Sequence, residues 1–138
     1  MPYSYLIDTQ RGIVFSRIWG VLTDEEVLSH ATGLKEDPRF SPGLKQVIDF
    51  RELTDMQLTT HGLRKLAHLN PFHPDAKRAF VVDTDEALAL SRAFWTYTEA
   101  GVDGYTLFRS LEPAMEFVGL DPKAPWPDGP PDKTFGLP

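Results

Sequence analysis

Runs of β-branched and aromatic residues with a period of two alternate along this chain with segments whose apolar residues recur every third or fourth position. A period of two sends side chains to opposite faces of a strand, and a period near 3.6 gathers them into one stripe on a helix, so few architectures remain open. Tyr3, Tyr5 and Ile7 alternate, the turn-like Asp8-Thr9-Gln10-Arg11-Gly12 follows, and Ile13 to Trp19 is a second apolar run. Together they predict an antiparallel hairpin whose second strand Gly20 closes. Thr23-Asp24-Glu25-Glu26 reads as a capping box, with Thr23 and Glu26 satisfying free N–H groups at the start of a helix. Its buried stripe is Val27, Leu28, Ala31 and Leu34, and Asp37-Pro38 ends it.

Lys45 to Phe50 predicts a short strand, and Leu63, Leu66, Ala67 and Leu69 mark a second helix stopped at Asn70-Pro71. Arg78-Ala79-Phe80-Val81-Val82 is the most strand-like run in the chain. Asp83, with Glu86 three positions on, repeats the capping pattern and opens a third helix that runs to Glu99 and ends at Gly101. Tyr105 to Phe108 is a last strand. Ser110 then caps a helix that tolerates Pro113 in its first turn and turns Leu111, Ala114, Met115 and Val118 inward before Gly119.

This order implies right-handed crossovers and an α/β fold: a mixed sheet opened by an antiparallel hairpin, otherwise mostly parallel, with about four helices. Ligands of such sheets sit beyond the carboxyl ends of the strands, here Asp49 to Thr54, Asp83 to Asp85 and Phe108 to Ser110. From Asp121 onward the prolines forbid helix and central strand. Residues 1–120 therefore form the domain and 121–138 a proline-rich tail, with Trp126 and Phe135 as the side chains that pin it to its own domain or to a second copy.

Bulk properties exclude several function classes. A chain of 138 residues fits one domain and buries roughly two-thirds of its unfolded surface. The absence of cysteine removes disulfides, thiolate metal sites and cysteine nucleophiles. A net charge of −6 argues against a broad nucleic-acid footprint. The N-terminus has no basic flank followed by an apolar run, and no later stretch reaches bilayer-spanning length, so the expected location is the cytoplasm with no stable membrane insertion.

Val47-Ile48-Asp49-Phe50-Arg51-Glu52-Leu53-Thr54, followed by Thr59-Thr60-His61-Gly62-Leu63-Arg64-Lys65-Leu66, resembles the strand-loop-helix centre of STAS domains. With the Tyr-rich hairpin, Trp19-Gly20-Val21-Leu22-Thr23, Arg78-Ala79-Phe80-Val81 and Phe108-Arg109-Ser110-Leu111-Glu112, the chain from about residue 3 to 120 is similar to the bacterial SpoIIAA-like family. The resemblance implies a STAS-type fold, shared in outline with CRAL-TRIO lipid-carrier domains, in a family mostly without an assigned activity. Antagonist STAS domains carry an Asp-Ser pair at the start of the second helix, where phosphorylation breaks binding to a partner kinase. This chain has Leu58-Thr59-Thr60-His61 there, so a hydroxyl survives and the neighbouring acid is missing.

Thr59 and Thr60 are thus candidates either for a phosphate-accepting switch or for plain N-capping. His61, Arg64, Lys65 and His68, spaced i, i+3, i+4, i+7, make a basic stripe that either meets an anionic partner or is a solvated face. His61 and His68 lie two turns apart, about 10 Å along the axis, too far to share a zinc ion, so no metal and no cofactor is expected. In the third helix Leu88, Leu90, Phe94, Trp95 and Tyr97 spread apolar surface beyond one stripe, and Arg92 is either an anion anchor or a structural pair for Asp83 or Glu99.

The first functional expectation is a non-enzymatic binding or regulatory module acting through protein contacts, as a homodimer through the third helix or with another protein. The alternative is a small carrier for an apolar or amphipathic ligand, with Arg92 or the His61 and His68 face holding the polar end. A hydrolase-type enzyme is a remote third reading, motivated only by histidines and hydroxyls near the ligand edge of the sheet.

Overall fold

The computed structural model describes residues 3–73, 75–97, 105–127 and 133–135. The hairpin forms where the alternation places it, from β1 (Tyr3–Asp8) and β2 (Ile13–Thr23). Its turn is held by Asp8, whose Oδ1 accepts the Gln10 and Arg11 N–H groups, both at 3.0 Å, and whose Oδ2 accepts Arg11 Nε at 2.6 Å. Next come α1 (Asp24–Glu36), β3 (Lys45–Gln57), α2 (Thr60–Leu69), β4 (Arg78–Val81), α3 (Asp85–Tyr97), β5 (Tyr105–Phe108), α4 (Leu111–Phe117) and β6 (Lys133–Phe135).

The strands form one sheet in the order β5-β4-β3-β2-β1-β6. β2 to β5 run parallel, as crossover helices require, and β1 lies antiparallel to β2. The proline-rich tail returns to the sheet as well. β6 pairs antiparallel with β1, Phe135 opposite Tyr3, at the edge where proline-flanked segments are admitted.

Two layers cover the sheet. Val27 of α1, Leu63 of α2 and Ala87 of α3 pack on Ile18, Ile48, Phe50 and Phe80 on one face. On the other, Ala114 and Met115 of α4 pack on Ile13, Phe15, Val47, Ala79 and Val81. α4 ends against Lys45, whose Nζ donates to the Val118 carbonyl at 3.1 Å.

Both central strands outrun their sequence pattern. β2 does not close at Gly20 but continues to Thr23, and β3 does not stop at Phe50 but continues to Gln57. The register between them slips between Arg17 and Trp19 and again between Gly20 and Val21. Gly20, at φ +74°, supplies the left-handed backbone beside the second slip. Backbone pairing thus extends past the buried core, where side-chain alternation no longer marks it.

Capping differs from expectation in three places. Thr23 is the N-cap of α1, yet its side chain makes no cap bond, and its neighbour Asp24 reaches to α2. The α3 cap is Thr84, not Asp83: Thr84 Oγ1 accepts the Ala87 N–H at 3.1 Å. Ser110 precedes α4 in extended conformation, again without a side-chain cap bond. The expected end of the third helix at Glu99 and Gly101 lies outside the described residues.

The link from α1 to α2 is tight. Asp24 Oδ1 accepts the Thr59 N–H at 2.9 Å and Oδ2 the Thr59 hydroxyl at 2.5 Å, while Thr59 Oγ1 accepts the Gly62 N–H at 3.0 Å. A Cβ at Gly62 would collide with the Asp24 carboxylate. We expect Gly62→Ala to displace Asp24 and cost about 1 kcal/mol in urea unfolding, close to the loss of one cap bond. Asp24→Ala should cost a similar amount, and the double variant no more than either alone. Additive losses would contradict the arrangement.

Candidate functional site

The parallel register puts Gln46 of β3 directly beside Arg78 of β4, and a chain of hydrogen bonds grows from that pair. Arg78 Nε donates to Gln46 Oε1 at 2.9 Å, and Gln46 Nε2 donates to Ser16 Oγ of β2 at 3.2 Å. His30 Nε2 of α1 meets the same hydroxyl at 3.1 Å. At the other end Arg78 Nη1 donates to Oδ1 of Asn70, the residue that closes α2, at 3.0 Å. Ser16, Gln46, His30 and Arg78 are all buried. The guanidinium carbon lies 4.2 Å from the centre of the Phe72 ring and 5.4 Å from that of Phe80. His30 meets Tyr3 and Tyr5 edge to face, at 5.0 and 6.0 Å between ring centres.

Burial sets the charges. The His30 imidazole is pushed down to about 3 by desolvation and then by the Arg78 charge, so it is neutral at any physiological pH. Desolvation pushes the Arg78 guanidinium down to about 9, which leaves it charged at neutral pH.

This polar chain forms one wall of a partly open cavity of about 60 Å³. The other walls are apolar, among them Ile18, Ile48, Phe50, Leu63 and Phe80. A single water occupies roughly 10–15 Å³ on this measure, so the space corresponds to roughly four to six water-sized volumes. Met56, Leu58 and Leu66, all half-buried, complete the lining, and Ser91 of α3 brings a buried hydroxyl to it.

The residues singled out from the sequence lie elsewhere. His61, Arg64, Lys65 and His68 are exposed and share a shallow groove on the outer face of α2. Thr60 is exposed at the first position of α2. Thr59 is its N-cap, and a phosphate on it would meet the Asp24 carboxylate already bonded there. Arg92 is exposed on α3 and outside the cavity lining. Phe94 and Trp95 belong to α3, but their side chains lie outside the described residues, as does that of Phe135. Trp126 sits on the α4 face, edge-on to Phe15 at 5.5 Å and under the Arg17 guanidinium at 4.6 Å.

The carboxyl edge of the sheet carries an ion cluster on that α4 face. Asp49 accepts Arg51 Nε at 3.0 Å and Nη2 at 2.9 Å, and Arg17 Nε, buried without a hydrogen-bond partner, lies 3.8 Å from Asp49 Oδ2. Among the described residues no three histidine or carboxylate groups gather to hold a metal ion, and no helix is long and apolar enough to cross a membrane.

Sequence reasoning passed over every member of the buried chain: Ser16, His30, Gln46, Asn70 and Arg78. Faint signals existed. His30 stands three residues after Val27, inside the buried stripe of α1, and Gln46 alternates onto the face of Ile48 and Phe50.

No family model matches the chain, and no curated protein does. Among solved structures it is similar to a crystal structure of an uncharacterized protein from the DUF3478 family with a SpoIIAA-like fold, from Shewanella loihica PV-4. The TM-score is 0.52 at 18% identity, over 77% of this chain and 83% of that one. This chain has a SpoIIAA-like fold. At that identity the likeness carries the mixed sheet and its helical layers, as the resemblance implied, and leaves the cavity and its polar wall to be argued from this chain's own residues.

Within the SpoIIAA-like fold, His30 makes stability depend on pH. Its folded-state value lies below the ordinary 6.5, so between pH 6.5 and about 3 the unfolded chain takes up a proton that the folded one refuses. Stability contributed by neutral His30 is complete above 6.5 and falls with acidification by up to ~1.4 kcal/mol per pH unit. His30→Gln, which cannot ionise, should show a shallower loss in urea unfolding from pH 6.5 to 4. Parallel curves for the two proteins would contradict the assignment.

Proposed function

We propose that the chain is a non-enzymatic binding module that holds a small amphipathic molecule in the cavity beneath α1, α2 and α3. The observation that carries this reading is a cavity with apolar walls and one hydrogen-bonded polar corner, the usual composition of a small-molecule site. Apolar walls give water in such a cavity few hydrogen-bond partners, and an apolar body that displaces it gains contacts in exchange.

The same geometry speaks against hydrolytic chemistry at this wall. Ser16 and His30 have the composition of a nucleophile and its base, but a ring held near pKa 3 is a poor proton acceptor at neutral pH, and Ser16 is fully buried. The alternative of a module acting through protein contacts leans on the apolar side chains late in α3, which fall outside the described residues.

Ala31 of α1 lines the cavity and is 5% exposed. Ala31→Leu should fill the space while retaining the fold. A titration with 1-hexanol should raise the wild-type Tm in proportion to ligand occupancy and leave Ala31→Leu unmoved. An equal rise in both proteins, or none in the wild type, would overturn the reading.

A further inference from the structure

The direction of each hydrogen bond along the buried polar chain is fixed from one end. Arg78 Nε has only a proton to offer, so the Gln46 atom 2.9 Å from it is the accepting Oε1, and the amide nitrogen faces Ser16. Ser16 Oγ therefore receives a proton from Gln46 Nε2 at 3.2 Å, and its own hydroxyl proton needs an acceptor. Among the described residues the acceptor it meets is His30 Nε2, at 3.1 Å. A neutral imidazole that accepts at one nitrogen carries its proton on the other. His30 is such a ring, since burial pushes it down to about 3, and so its Nδ1 bears the proton.

Nδ1 has no hydrogen-bond partner among the described residues. The partnerless side-chain polar atom that is fully enclosed there is Arg17 Nε, so His30 Nδ1 keeps contact with open space. For a ring that is 5% exposed and lines the cavity, that space is the cavity.

We propose that this donor is the recognition point of the cavity, and that the ligand is a small neutral carbonyl compound, a ketone or ester, whose oxygen accepts from His30 Nδ1 while its hydrocarbon body lies against Ile18, Ile48, Phe50 and Leu63. This rests on the reading of the cavity as a ligand site and adds the chemical class. Hydrocarbon alone would leave the Nδ1 proton without an acceptor in the filled cavity, a loss that a carbonyl oxygen prevents. A neutral oxygen also asks for no counter-charge, whereas a carboxylate or phosphate would have to be carried out of water into walls that are mostly apolar. Ser91, the buried hydroxyl that α3 brings to the lining, can donate to the second lone pair of the same oxygen. The volume admits roughly five to eight non-hydrogen atoms, the size of cyclohexanone.

The test uses the full chain with nitrogen-labelled histidine and compares cyclohexanone with methylenecyclohexane, which has the same shape and no oxygen. Nitrogen NMR of the wild type at pH 7 should find the His30 ring proton on Nδ1. Cyclohexanone should then shift the Nδ1 resonance saturably, and methylenecyclohexane should bind with a much smaller shift. His30→Phe keeps a ring and lacks the donor, so it should cut the cyclohexanone-to-methylenecyclohexane affinity ratio about fivefold, as the loss of one hydrogen bond does. Where that variant fails to fold, the wild-type spectra decide. A ring proton on Nε2, saturating cyclohexanone that moves Nδ1 no more than methylenecyclohexane does, or binding of methylenecyclohexane alone overturns the carbonyl assignment and leaves the cavity reading standing. If neither compound nor 1-hexanol binds the wild type, both readings fall.

Discussion

A charged guanidinium inside a small domain is costly unless its donors are satisfied, and the rest of this structure is arranged around satisfying Arg78. Its Nε fixes Gln46 on the adjacent strand, Gln46 fixes Ser16 on the next, and Ser16 fixes His30 on the helix above. Its Nη1 fixes the end of α2 through Asn70. Three strands and two helices are thereby tied to one side chain. A one-residue slip of β4 against β3 would turn Arg78 to the α4 face and break every one of these bonds, so the polar chain specifies the register that hydrophobic burial alone would leave looser.

The two faces of the sheet divide the work. On the α4 face Ala114, Met115 and Val118 close tightly over Ile13, Phe15, Val47 and Val81, with Trp126 adding to the cover. That side spends its charged groups at the sheet edge, where Arg51 holds Asp49 in a two-point contact at the rim of the α4 layer. On the other face three helices must span the same sheet, and the space between α1, α2 and the strands is not filled. Small Ala31 stands where a larger aliphatic side chain would have closed it. The polar corner and the void are two sides of one arrangement, since a guanidinium with fixed partners cannot collapse into the gap.

Legibility in the sequence followed how strongly each feature imposes a period. The hairpin, the parallel order and the four helices were readable because Tyr3, Tyr5 and Ile7, or Val27, Ala31 and Leu34, repeat at the spacing their elements demand. The far halves of β2 and β3 were hidden because residues 51–57 are half-buried or exposed, and backbone pairing leaves no mark on side-chain type. Asp83 and Thr84 are both good caps, and only the geometry at Ala87 chooses between them. β6 was masked by the prolines around it, Pro131 and Pro138, which exclude a central strand but admit an edge one.

The site was less legible than the fold for a different reason. Polar residues on an exposed helical face show a period, as His61, Arg64, Lys65 and His68 do. Arg78, Gln46 and Ser16 each stand singly within apolar strands, at positions where a sequence shows neither spacing nor cluster, and only the parallel register brings them together. Ligand binding by this chain therefore depends on an apolar cavity lying against that polar wall, and diffraction from crystals pressurised with xenon tests it directly. We expect xenon density enclosed by Ile48, Phe50 and Leu63, with Arg78 unmoved. Side chains collapsed into that space and no xenon beneath α1 and α2 would contradict it.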